Sequence, residues 1–335
     1  MSPISRRHSL AGLSLALGLG ASGQAGAALL RAPQGRRRTP DQPPIKESSM
    51  TVTYKTQKVG PVDVFYREAG PKDAPVILLL HGYPTTSHMF RNLIPQLATR
   101  YRVIAPDLPG FGLTEAPPRG TFDYTFANLT QTIAGFTEAL GLKRYALYVF
   151  DYGAPTGFRL AALHPERVTA IVSQNGNAYA EGLSKAWGPY QAYWEKPSDA
   201  TRNACRAALT PEAIRTQYVT GADEAHVSPD GYTLDIAYFG RPGTDEIQLD
   251  LIYDYRTNVA LYDAWQAYFR THKPPLLAVW GEKDIYFLPP GAKAFKRDIP
   301  DAEISFYDTG HFALETHGTE IGEAMLDFLD RKVRS

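Results

Sequence analysis

Cysteine is almost absent. Cys205 is the single thiol in 335 residues, so no intrachain disulfide can form and thiol content says nothing of the compartment. A surplus of either charge is absent too, with 35 Lys and Arg set against 35 Asp and Glu. A nucleic-acid or anionic-membrane partner would favour a basic excess, so neither is expected. The apolar run near the N-terminus, Leu10 to Leu19, is too short to cross a bilayer, and no stable membrane insertion is expected. Beyond the first fifty residues there is no G-x-G-x-x-G. No Walker sequence occurs, and no cluster has metal-ligand spacing. No metal, nucleotide or other cofactor is therefore expected.

What is present divides into two parts. Residues 1–27 carry the pair Arg6 and Arg7, then the short apolar run, then Ala25 and Ala27 in A-x-A spacing. That is the pattern of a secretory signal, and Ser5-Arg6-Arg7 with Leu10 resembles a twin-arginine signal. The expected location is periplasmic or secreted; a chain starting at Met50 would instead be cytoplasmic. Residues 28–50, rich in Pro and Arg, read as a flexible linker. The remainder is long enough, at 44% apolar residues overall, for the core of one large domain.

In that remainder, TVTYKTQKVGPVDVFYREAG reads as a hairpin around Gly60-Pro61. Short apolar runs follow at 75–82, 102–107, 145–151, 168–176, 275–281 and 302–308, with helical patterns such as FANLTQTIAGFTEALGL between many of them. Near-continuous apolar strands alternating with helices predict an α/β architecture, a mostly parallel central sheet with helices on both faces. The interval 177–272 breaks the rhythm with aromatics and prolines and no clear long strand. It is expected to be an inserted helical cap, between a first core part at 51–176 and a second at 273–335.

LYVFDYGAPTG, residues 147–157, is the informative stretch. A strand ends at Asp151, at the edge of a parallel sheet where ligands sit. Gly153 permits a sharp turn, Pro155 suits a first helical turn, and Gly157 permits close packing on the strand. Strand, tight turn and helix form a nucleophile elbow, but no G-x-S-x-G occurs and the apex is Asp. A carboxylate is ionised at neutral pH and needs no base to activate it. It suits displacement at a saturated carbon, giving an alkyl-enzyme ester. Attack on an ordinary ester would give a reactive anhydride. Hydrolysis of the alkyl ester then needs a general base.

HGYPTTSHMFRNLIPQLA (81–98), APDLPGFG (105–112), VFDYGAP (149–155), HPERVTAI (164–171), VWGEKD (279–284) and DTGHFALE (308–315) together resemble the α/β-hydrolase fold, in its aspartate-nucleophile branch of haloalkane dehalogenases and epoxide hydrolases. His311, after the last strand, is the candidate base. Asp284 is its expected carboxylate partner, with Glu282 and Asp308 as competitors. The loop SQNGNAY, where some family members place that acid, offers only Asn175 and Asn177. The order Asp151, Asp284, His311 is the nucleophile–acid–base order of the fold. The resemblance implies an oxyanion hole from the backbone N–H groups of Tyr83 and Tyr152. It leaves His81 and Asp107 as structural parts of their turns.

The bond broken is less sharply marked. Haloalkane dehalogenases would have Asn and Trp where this chain has Tyr83 and Tyr152, whereas Val149 and the 81–98 loop are dehalogenase-like. Epoxide hydrolases use cap tyrosines as acids. Trp187, Tyr190, Trp194 and Tyr255 are the candidates for substrate and leaving-group binding, the indoles through their N–H groups. The first expectation is haloalkane dehalogenase-like cleavage of a small apolar substrate with water. Epoxide opening to a diol is the alternative, and a non-catalytic ligand-binding protein of this fold the third reading. Oligomeric state has no signature in the sequence.

Overall fold

The computed structural model describes residues 51–333; the expected signal and linker lie outside the described residues. Eight strands form one sheet: β1 Thr53–Val59, β2 Val62–Ala69, β3 Val76–Leu80, β4 Arg102–Pro106, β5 Tyr145–Phe150, β6 Val168–Gln174, β7 Leu276–Gly281 and β8 Glu303–Tyr307. Their order is β1-β2-β4-β3-β5-β6-β7-β8. The β1–β2 and β2–β4 pairs are antiparallel and all others parallel, as the apolar runs predict. Gly60 makes the first hairpin turn at φ +56°.

Twelve helices accompany the sheet among the described residues. They are α1 Leu93–Leu97, α2 Phe126–Ala139, α3 Gly153–Leu163, α4 Gly188–Glu195, α5 Asp199–Ala204 and α6 Pro211–Val219, then α7 Pro229–Phe239, α8 Thr244–Asp254, α9 Arg256–Val259, α10 Tyr262–His272, α11 Pro289–Asp298 and α12 Ala313–Lys332. Strand β5 is buried throughout, and its side chains alternate between two cores as a period-2 strand must. Leu147 and Val149 join Phe126, Phe158 and Phe295 on one face. Tyr148 and Phe150 join Leu93, Ile321 and Met325 on the other. Helices on both faces thus cover the parallel strands. None is long and apolar enough to cross a membrane among the described residues.

Local signals start and stop these helices. Thr125 caps α2 by accepting from Asn128 N, and Thr210 caps α6 with Pro211 in its first turn. Helix α12 begins at Ala313 and carries a non-helical residue at His317. The interval after β6 is helical and contains no strand. Its last helix, α10, lays Trp265 and Phe269 against Phe158 of α3, and Phe269 also meets Phe295 of α11. The last helix of the interval expected to be the cap thus packs against α3 and α11.

The registers Leu80↔Val149, Phe150↔Gln174 and Gly281↔Tyr307 bring the carboxyl ends of β3, β5, β6, β7 and β8 to one edge. Close approach there depends on glycine. A Cβ on Gly153 would lie 2.2 Å from the Leu80 carbonyl oxygen, and one on Gly82 would lie 2.4 Å from both Asp151 Oδ1 and Tyr152 N. Gly153→Ala is expected to destabilise the protein by about 3 kcal/mol or more, because backbone must move to admit the methyl group. Chemical denaturation of the variant measures this directly.

Candidate active site

Asp151 directly follows β5, with φ +48°. Few residues other than glycine adopt that conformation, and where they do, the surroundings enforce it. The turn leaves Asp151 7% exposed between two loops. Its Oδ1 accepts from the N–H of Tyr83 and from the N–H of Tyr152, both at 2.6 Å. Tyr152 is the N-cap of α3, whose positive end favours charge at this point. Oδ2 is left free of these bonds and lies 3.7 Å from His311 Nε2.

The other ring nitrogen of His311, Nδ1, is 2.7 Å from Asp284 Oδ2. Asp284 is buried, and its Oδ1 accepts from Tyr286 N at 2.7 Å. Its Oδ2 also accepts from Asn175 Nδ2 at 2.8 Å, and Asn175 Oδ1 accepts from Gly281 N at 2.9 Å. Asn175, itself at φ +46°, thus ties the end of β6 to the loop after β7 and orients Asp284. The competing carboxylates face outward: Glu282 is exposed and Asp308 pairs with Lys283. His81 is fully buried, and its Nε2 accepts from Leu108 N at 2.9 Å. Asp107 accepts from Ser87 N and Leu113 N at 2.7 and 2.8 Å, fixing the loop after β4.

A small cavity opens on Asp151, with about 30 Å³ of room for the centres of water molecules. That suffices for about two waters. Tyr83 and Tyr152 form its floor, Trp187 and Tyr190 come from the cap, and Gln217, Ile252 and Tyr286 complete the wall. Two of the expected binding side chains do not reach it. Trp194 and Tyr255 stack on each other at 5.9 Å, and Tyr255 packs against Trp187 at 4.5 Å from outside the cavity wall. Both cap indole N–H groups are already engaged. Trp187 donates to Tyr286 O at 3.1 Å and Trp194 to Ile252 O at 2.6 Å. Neither is free to hold a leaving halide. The Tyr83 hydroxyl likewise donates away, to Ala208 O at 2.7 Å.

Comparison with known proteins agrees with this architecture. Residues 75–318 match the family model described as alpha/beta hydrolase fold. The chain belongs to the α/β-hydrolase fold family. It is 46% identical over 278 residues to an uncharacterized hydrolase of Saccharomyces cerevisiae, covering 82% of this chain and 95% of that one. It is 31% identical over 273 residues to a haloalkane dehalogenase of Mycobacterium marinum, covering 78% and 87%. The solved structure of a candidate epoxide hydrolase from Pseudomonas aeruginosa superposes with a TM-score of 0.70 at 22% identity, covering 84% of this chain and 96% of that one. That last likeness is one of fold. The chain is a hydrolase of the α/β-hydrolase fold, in its dehalogenase-like branch.

Within this α/β-hydrolase the electrostatics are those of three buried ionisable groups. Burial pushes the Asp151 carboxyl up to about 6, while the His311 charge and the two N–H bonds pull it back. Burial alone would lower His311, but the Asp284 carboxylate outweighs it and holds the imidazole above its ordinary value, with Asp151 adding to the effect. No local pattern marks Gln217, an amide inside α6, or Tyr286, whose place in the wall depends on the turn after Asp284.

Two measurements follow from the Asp151 environment. An attack that requires the ionised carboxylate should lose about tenfold in rate per pH unit below about 6, read by single-turnover kinetics. The folded protein also holds a proton on Asp151 more tightly than an ordinary carboxyl, which releases it near 3.8. Its contribution therefore lowers stability as pH rises from 3.8 to about 6 and stays unfavourable at neutral pH. Asp151→Asn should melt above the native protein at pH 7, and the gap should close below pH 4.

Proposed function

We propose that this hydrolase opens small epoxides to diols through an ester formed on Asp151. The observation that carries the reading is the kind of donor left free around the carboxylate. Both cap indole N–H groups are spent on backbone carbonyls. Tyr190 lines the same cavity as Asp151, senses its charge, and has no hydrogen-bond partner for its hydroxyl among the described residues. A departing halide needs donors but no proton. An epoxide oxygen stays on the product and needs an acid, which a tyrosine supplies.

In the first step Asp151 Oδ2 attacks an epoxide carbon, the carbon–oxygen bond breaks, and the oxygen takes the Tyr190 proton. Burial, the neighbouring Tyr286 and Cys205, and the Asp151 charge all hold the Tyr190 hydroxyl above its ordinary value. Ester formation removes the Asp151 charge, so Tyr190 becomes more acidic as its proton is needed. In the second step water bonds to Asp151 Cγ and gives a proton to His311 Nε2. The negative charge then develops on Oδ1, which already sits 2.6 Å from two N–H donors. The Cγ–Oδ2 bond breaks and the diol oxygen takes the imidazolium proton. The regenerated carboxylic acid of Asp151 loses its own proton, which returns the Tyr190 phenolate to its neutral form.

Asp284 holds the imidazole with Nε2 toward Oδ2 and stabilises its charged form. The small cavity favours substrates of a few heavy atoms, or a cap that moves to admit larger ones. A second reading, cleavage of a carbon–halogen bond by the same two steps, is favoured by the Mycobacterium marinum relative.

A panel of short epoxides and haloalkanes separates the two. The epoxide reading predicts diol formation without halide release, and loss of about 10²-fold or more in the alkylation step for Tyr190→Phe. Halide release with no diol, unaffected by Tyr190→Phe, would establish the second reading instead. His311→Gln should trap the ester on Asp151, seen as a mass increase equal to the substrate.

A further inference from the structure

Gln217 has no role in the steps above, yet its position is unusual. It is 4% exposed, it lines the cavity, and its side-chain amide has no hydrogen-bond partner among the described residues. The amide atoms are not sealed off by protein and face the open space of the cavity, where a small polar molecule can pair with them. In a wall otherwise made of aromatic and aliphatic side chains, the amide should meet a polar atom that comes and goes with the reaction.

The placement of α6 indicates which atom. The residue after Gln217, Tyr218, stacks on Phe312 at 3.7 Å with an interplanar angle of 12°. Three residues after Gln217, the carbonyl oxygen of Thr220 lies so near Gly310 that a Cβ there would come within 1.8 Å of it. Gly310 and Phe312 flank His311 in the chain. The helix end that carries Gln217 is therefore clamped on both sides of the imidazole, whereas Trp187 and Tyr190 belong to another part of the cap.

We propose that Gln217 orients the water that His311 activates in the second step. Its carbonyl oxygen accepts one hydrogen of that water. The other hydrogen passes to His311 Nε2 as the water oxygen bonds to Asp151 Cγ, the Cγ–Oδ2 bond breaks, and the product oxygen takes the proton from the imidazolium. The inference rests on the two-step ester reading but not on the choice of leaving group, because water attack is common to epoxide and haloalkane substrates.

The test is rapid-quench kinetics on Gln217→Met, with the ester on the Asp151 peptide followed by mass spectrometry. Alkylation should stay within about threefold of the native rate. Ester hydrolysis should slow by about 10- to 100-fold, so that the ester accumulates at steady state. Gln217→Glu, which keeps an acceptor oxygen at similar reach, should recover part of the hydrolysis rate. Methionine of similar length removes no hydrogen bond, and an unchanged melting temperature confirms a folded variant. Slowed alkylation with intact hydrolysis would place Gln217 on the leaving group and overturn the proposal, as would two unchanged rates. Absence of any ester in the native protein and in His311→Gln would remove the two-step reading itself, and the proposal with it.

Discussion

One carboxylate oxygen is held and the other is free. Tyr83 and Tyr152 each give Asp151 Oδ1 a backbone N–H at 2.6 Å, and Oδ2 faces His311. In the proposed reaction this asymmetry lets one side chain be nucleophile and, later, the acyl centre that water attacks. It exists because two backbone segments approach closer than any side chain would allow. Gly82 brings the loop after β3 onto Asp151, and Gly153 brings the start of α3 onto the end of β3. Between them Asp151 is forced to a positive φ that few residues other than glycine adopt. Backbone donors cannot drift as side chains do, so the charge stabilisation is present before the reaction begins.

The charges around that oxygen are arranged to change together. In the resting site, buried Asp151 raises the pKa of both His311 and Tyr190. In the proposed reaction, forming the ester removes that negative charge. Tyr190 then gives up its proton more readily, and His311 is more readily neutral and fit to accept one. Asp284, fixed by Asn175 and by Tyr286 N, keeps the imidazole aligned throughout. The second step thus becomes easier because the first has occurred.

Much of this was legible in the chain. Each parallel strand is a short apolar run because both its faces are covered, and the turn after Phe150 is written in Gly153 and Pro155. His311 and Asp284 follow the last two strands, where topology puts them beside Asp151. The cap was not legible, for a physical reason. An aromatic side chain in a helix carries the same local signal whether it faces a cavity, a neighbouring ring or a backbone carbonyl. Trp194 and Tyr255 read as binding residues and are packed behind the wall. Trp187 does reach the cavity, but its N–H is spent on Tyr286 O. Gln217 and Tyr286 line the cavity only because of how α6 and the loop after β7 lie in three dimensions.

The central claim is that product oxygen comes first from the protein and only then from water. A single turnover in water enriched in oxygen-18, with protein in excess of substrate, tests it most directly. The account predicts unlabelled product and one heavy oxygen in the carboxylate of Asp151. Heavy oxygen in the first product, with none in Asp151, would mean that water attacks the substrate directly and would contradict it.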